Sequence, residues 1–304
     1  MDGVGHPIFR VGPLDVSTRT LTGALLSGGG PRGEVEIDPM DRIRSEVTLN
    51  FACGTSIGAP NALPAMVGAP QDVARELWGS VKNTRDIMRI KDVNPLDGLY
   101  SLDPLIKLIK RSGLAGRRAV IPVWFGVVDA QDDNEHKLLR VDKLSEALRL
   151  DACRCTASIV PLPHEIAYFR GRVVTDGGER CVLPPVPAKL LPDVAELHAV
   201  FCSPIYPEQR RRQWEPDEVS TMLGLAMAKM EKLVSINVLA DVERLRRYVA
   251  RGIRVFVYAP QRFEDVGKTW DLSPEMRATR RATGAWMRDN RILLGATRDA
   301  DRAA

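Results

Sequence analysis

Residues 53–62 read CGTSIGAPNA, and the placing of Ser56 between Gly54 and Gly58 decides how the rest of the chain is read. A G-x-S-x-G stretch marks a nucleophile elbow, a tight strand-to-helix turn that holds a serine hydroxyl in open space and needs small neighbours. The same pattern also arises by chance in a chain of 304 residues with 24 glycines, so its surroundings must carry the reading. Upstream, VTLNFACGTS (47–56) predicts a strand delivered into the turn. Downstream, Ile57 to Val67 are apolar or small and fit a helix, with Pro60 in the first turn, where a missing N–H costs little.

Further out, short apolar strands alternate with amphipathic helices. LTGALL (21–26), AVIPVWFGVVDA (119–130), GRVVTDGG (171–178), LHAVFCSP (197–204) and IRVFVYAP (253–260) predict strands. PQDVARELWGSV (70–81), SLDPLIKLIKRSG (101–113), LRLDACRCTASIV (148–160), a long stretch within 217–251 and residues 274–294 predict helices. This alternation implies an α/β fold of three layers, a mostly parallel central sheet flanked by helices.

Composition narrows the class. A chain with 44% hydrophobic and 27% charged residues is that of an ordinary globular protein. The net charge of +4 gives weak attraction to an anionic surface and falls far short of a nucleic-acid binder's footprint, so no nucleic-acid partner is expected. Neither an apolar core of signal-peptide length near the N-terminus nor a bilayer-length apolar run is present, which predicts a cytoplasmic protein with at most peripheral membrane contact. Cys53, Cys153, Cys155, Cys181 and Cys202 are odd in number and form no C-x-x-C pair. They read as reduced thiols, and no metal and no cofactor are expected.

Three glycine-centred features fall at the ends of predicted strands, where open α/β sheets build their sites: GGGPRG (28–33), GTSIG (54–58) and DGG (176–178). The first lacks the spacing of a dinucleotide or P-loop fingerprint. Together they make an acyl-transfer site. Amides of Gly28, Gly29, Gly30, Arg32 and Gly33 around Pro31 can face one cavity as an oxyanion hole, in which one donor is typically worth roughly 2.7 to 4 kcal/mol of barrier. Gly54 and Gly58 clear the approach to Ser56, and Gly177 and Gly178 clear that to Asp176. The base is Asp176, whose basicity partial desolvation would raise, or a histidine. Of His6, His136, His164 and His198, the last completes a serine–acid–histidine order with Ser56 and Asp176, but it lies in a predicted strand.

In this order the three motifs resemble the patatin-like phospholipase family, whose pattern is G-G-G-x-[KR]-G, G-x-S-x-G and D-G-[GA]. The likeness extends to GLYSLDPLIKLIK (98–110) and to TASIVPLPHEIAYFRGRVVTDGGERCVLPPVPA (156–188). It implies a patatin-like acyl hydrolase domain over 20–295, with 1–19 and 296–304 as extensions. Ser56 would then be the nucleophile, Asp176 the base and the 28–33 amides the oxyanion donors. The resemblance further implies calcium-independent hydrolysis of fatty-acyl esters in phospholipids or other lipids through an acyl-serine. Arg32 would neutralise a lipid phosphate or pin the loop to an acid. A serine esterase or thioesterase on soluble acyl substrates, or a non-catalytic member of the fold, are the competing readings.

One segment departs from the family pattern. Where a buried apolar helix usually follows the glycine loop, EVEIDPMDRIRSE (34–46) is acidic, carries Pro39 mid-segment and alternates rather than repeating every three or four residues, which predicts that the loop is held by another route or that hydrolysis is slow. Two stretches pair arginines with tryptophan as if for an anionic headgroup layer: EQRRRQW (208–214, with Arg210 to Arg212 and Trp214) and RATRRATGAWMR (277–288, near Trp286).

Overall fold

The structure, a computed structural model, describes residues 19–90, 100–159, 166–206, 222–268 and 271–295. β1 (Leu21–Leu26) opens it and buries its last four residues. Tight 3-10 turns over Gly30–Glu36 lead into α1 (Ile37–Glu46). β2 (Phe51–Thr55) is buried throughout and passes through Ser56 and Ile57 into α2 (Gly58–Val67), then α3 (Asp72–Ser80). A small antiparallel pair, β3 (Arg89–Ile90) with β4 (Tyr100–Ser101), precedes α4 (Asp103–Arg111). β5 (Val123–Asp129), β6 (Glu135–Arg140), α5 (Glu146–Thr156), β7 (Tyr168–Phe169), β8 (Arg172–Asp176) and β9 (Val194–Val200) follow. The chain then runs through α6 (Met222–Ala250), β10 (Arg254–Tyr258), α7 (Pro274–Asp289) and β11 (Ile292–Leu293).

The main sheet has nine strands in the order β11-β10-β9-β1-β2-β5-β8-β7, with β6 also on β5. Its centre, from β10 to β5, is parallel, and β6, β8, β7 and β11 join antiparallel. The sheet is thus mixed, with the expected parallel order across its centre. One face carries α1 to α5 and α7 through Met40, Leu63, Trp78, Ile109, Cys153 and Met287. The other carries α6 through Val238, Val242 and Leu245, packed with Phe51, Leu197 and Val255. Central strands buried on both faces have no alternation to show, which is why they read as plain apolar runs.

β5 is the strand on which the site is gauged. One of its sides is filled by β6 along 124–129, so β2 and β8 share the other, β2 along 123–126 and β8 along 127–129. β2 and β8 point toward each other, and Thr55 pairs with Gly126 while Asp176 pairs with Val127. The two ends meet at one point.

The segment after the glycine loop corrects the sequence reading, because 37–46 is a helix that buries Ile37, Pro39, Met40 and Ile43. The alternation belongs to the preceding 3-10 turns, and Pro39 falls in the helix's first turn, where its missing N–H has no intrahelical partner to lose. The acidic residues of α1 face outward, Asp38 and Asp41 pairing with Arg75 of α3.

Candidate active site

Ser56 stands on the turn between β2 and α2 with φ of +53°, a left-handed conformation that costs a non-glycine residue energy and persists only where its surroundings hold it. Two contacts show how it is held. The Ser56 N–H donates to Thr156 Oγ1 of α5 at 2.9 Å, and that hydroxyl donates to the Gly126 carbonyl at 2.5 Å. Gly54 and Gly58 let the turn close: a Cβ on Gly54 would sit 2.3 Å from the Gly58 carbonyl oxygen.

Ser56 and Asp176 line one cleft, and both are buried, at 5% and 3% exposure. Burial pushes the Asp176 carboxyl up to about 7, against the opposing pull of the neighbouring Ser56 hydroxyl and of the bond from the Gly178 amide. The Gly178 N–H donates to Asp176 Oδ1 at 2.7 Å, and the Asp176 N–H donates to the Ser158 carbonyl at 2.9 Å. Asn237 of α6 closes the outer side, its Nδ2 donating to the carbonyls of Gly178 and Glu179 at 2.9 and 3.1 Å.

The glycine loop lies against the serine, with the position of a Gly28 Cβ only 3.1 Å from Ser56 Cβ. It offers fewer donors than its sequence suggests. The Gly28 N–H is bonded to the Val182 carbonyl at 2.8 Å, the Arg32 N–H to Gly29 at 3.3 Å, and Pro31 has none. Gly33 lies inside the 3-10 turns. No described group accepts from the amides of Gly29 and Gly30, the latter held at φ of +56°. These two border the cleft that also holds Ser56 and Asp176.

Arg32 pins the loop. Its Nη2 bonds Glu231 of α6 at 3.0 Å, its Nε donates to the Gly267 carbonyl at 2.9 Å, and it lies over the Phe263 ring at 4.5 Å. Beneath the loop, Asn61 of α2 donates to the Gly33 carbonyl and to Glu36 Oε2 at 2.9 and 2.8 Å, and accepts from the Trp78 indole at 3.0 Å. Burial pushes Glu36 up to about 8, despite its bond from Asn61, and so favours the protonated form at neutral pH.

Arginines read as membrane-facing turn inward instead. Arg277 is 7% exposed and bonds Glu34 at 3.1 Å and the Trp78 carbonyl at 2.6 Å. Arg280 is fully buried and donates to the Val266 and Lys268 carbonyls at 2.9 and 2.8 Å, and its burial lowers it to about 10. Arg277 and Arg280 therefore clamp the loop, while Arg281 and Arg288 stay exposed, paired with Glu34 and Asp289. The 208–214 stretch lies outside the described residues.

His198 does not join the cleft. It is fully buried on β9, bonded to Glu196 at 2.8 Å and Tyr258 at 3.3 Å and stacked on Phe256. His136 is on β6, its Nε2 without a described partner, and burial lowers it to about 4. His6 and His164 lie outside the described residues. No group of three or more metal-ligating side chains occurs among the described residues. All five cysteines are unpaired, and Cys53, Cys153, Cys155 and Cys202 are buried.

Sequence reasoning missed Thr156, Asn61, Glu36, Asn237 and Glu231. Asn61 alone carried a signal, as a polar residue inside an otherwise apolar helix. No protein-family model matches the chain, and no curated protein matches it. Among solved structures it is distantly similar to VipD from Legionella pneumophila, at 12% identity and a TM-score of 0.47, covering 90% of this chain and 68% of that one. A likeness this distant says nothing of activity.

Proposed function

We propose that this chain is a serine acyl hydrolase that cleaves fatty-acyl esters of phospholipids or related lipids with a Ser56–Asp176 dyad. The observation that supports it is a strained, buried serine that lines one cleft with a buried carboxyl, raised by burial to about 7, and with two unbonded amides. A base poised near neutrality can take a proton and return it.

In the first half-reaction the Asp176 carboxylate takes the Ser56 hydroxyl proton as Oγ attacks the ester carbonyl carbon. The oxyanion is received by the Gly29 and Gly30 amides, helped by the N-terminal end of α2. Collapse breaks the carbon–oxygen bond to the alcohol, which leaves with the proton from Asp176. Water then attacks the acyl-serine while Asp176 takes its proton, and the fatty acid departs as Ser56 recovers that proton. The chain's own groups balance every step, and the proposed reaction is calcium-independent.

Lipid rather than soluble ester is favoured by the cleft walls. Ile159, Val182, Leu233 and Val234 line it, and Leu233 continues into an exposed apolar strip of α6 with Ile236 and Leu225. Exposed Lys229 and Lys232 flank that strip, a pattern suited to an interfacial helix. No helix among the described residues is long and apolar enough to cross a membrane. Arg32, already bonded to Glu231, serves the loop rather than a phosphate.

The test is acyl release from mixed phospholipid vesicles with a calcium chelator present, by wild type, Ser56→Ala, Asp176→Asn and His198→Ala. Loss in the first two variants with His198→Ala still active supports the dyad. Loss in folded His198→Ala, or no release by wild type, overturns it.

A further inference from the structure

A groove of about 650 Å³ lies between α3, α4 and the turn at 84–86, and its walls include four cations, Arg85, Lys107, Arg111 and Arg117. We infer that this groove binds a compact anion carrying several phosphates, such as an inositol polyphosphate, free or as a lipid headgroup.

Lys107 and Arg111 are four residues apart on α4 and therefore share a face. All four cations are exposed, and no described carboxylate pairs with any of them. Arg75, on neighbouring α3, shows the ordinary alternative, with its guanidinium shared among Asp38, Asp41 and Asp72. Two acids line the same groove, but Asp86 is already committed: its carboxylate accepts from the N–H groups of Lys82 and Asn83 at 2.7 and 3.0 Å. Its charge remains, so Asp86 and Glu76, the latter across the groove on α3, oppose four cations with two carboxylates.

The backbone presenting these cations is fixed. Asn83 Oδ1 accepts from the Arg85 N–H at 2.9 Å, and buried Arg149 donates to the Ala115 and Arg117 carbonyls at 3.0 and 2.6 Å. The groove also has apolar lining from Val73, Leu77, Pro104 and Leu108. Apolar walls with converging cations suit a carbon ring bearing phosphates, and a preorganised site loses less entropy on binding. Without a ligand, the four like charges repel one another.

The experiment uses the full chain carrying Ser56→Ala, so that its result is independent of the proposed acyl chemistry. Inositol hexakisphosphate is titrated calorimetrically, and phosphatidylcholine vesicles with and without phosphatidylinositol bisphosphate are tested by sedimentation. Saturable binding, weakened by salt and reduced about 100-fold by Lys107→Gln/Arg111→Gln, is expected, at about tenfold per charge-assisted bond. Exposed Arg118, outside the groove, is the control, and Arg118→Gln should bind as wild type. Vesicle binding that depends on the bisphosphate and is lost in the double variant assigns the lipid source, and soluble binding alone assigns the free anion. The ligand should also raise the melting temperature of the parent and not of the double variant, which without ligand should be at least as stable. No binding at millimolar probe, unchanged binding by the double variant, or equal competition by a DNA duplex overturns the site.

Discussion

The Ser56 N–H donates to the Thr156 hydroxyl at 2.9 Å, so an α5 residue a hundred positions later in the chain holds the turn that presents the serine. Thr156→Val keeps the shape and removes both the acceptor for Ser56 and the donor to Gly126. A hydrogen bond of this kind is worth about 1 kcal/mol, and here it restrains a disfavoured φ. The turnover number on an acyl ester should fall about tenfold in Thr156→Val with KM little changed, and Thr156→Ser should restore it.

The pH profile follows from Asp176. The base must be ionised to act, and burial raises it to about 7, so the rate should climb about tenfold per pH unit below that value and level off above it. A profile that levels near the ordinary aspartate value, or one that falls above neutrality, contradicts Asp176 as the base.

Glu36 makes stability pH-dependent by a similar route. Its folded value of about 8 lies above its ordinary 4.5, so the folded state holds the proton over a range in which the unfolded chain has released it. Its contribution is fully present below 4.5, is lost progressively as pH rises and is gone above about 8. Urea unfolding at several pH values should show Glu36→Gln with a smaller loss of stability across that window than wild type.

Asn61→Leu should be costly at any pH. It leaves the Trp78 indole, the Gly33 carbonyl and Glu36 without a shared partner in a buried place, and a stranded buried polar group costs about 1–3 kcal/mol. A loss of about 3 kcal/mol is expected in chemical unfolding, with the glycine loop more open to proteolysis.

Ile236 and Leu225 test the lipid reading. Both are exposed on α6, and neither lines the cleft. Leu225→Glu/Ile236→Glu should reduce release from vesicles about tenfold and leave hydrolysis of a monomeric short-chain ester unchanged. Equal loss on both substrates would point to soluble esters.

The strands and the three glycine motifs were legible because apolar runs and glycine spacing are local. What was hidden was relational. Glu34 and Arg280 looked like surface residues, since nothing local shows that a charge meets a partner more than two hundred positions away or sits against a carbonyl, and nothing local shows that Glu36 is buried against Asn61. β6 was missed because EHKLLR is charged, although Asp133 and Asn134, both at positive φ, form the kind of turn that joins two antiparallel strands. The helix at 37–46 was misread because the 3-10 turns before it shift its periodicity.

The shared side of β5 has a consequence for how the molecule matures. Because β2 and β8 abut on one strand, the spacing of Ser56 and Asp176 is set by register, and a two-residue slip of β8 would carry the aspartate away by about 6.8 Å. The serine turn can be complete while the carboxyl is still elsewhere. A folding chain is therefore expected to pass through a compact but inert form and to gain activity only when β8 seats, so that regain of turnover lags regain of helix signal after dilution from denaturant.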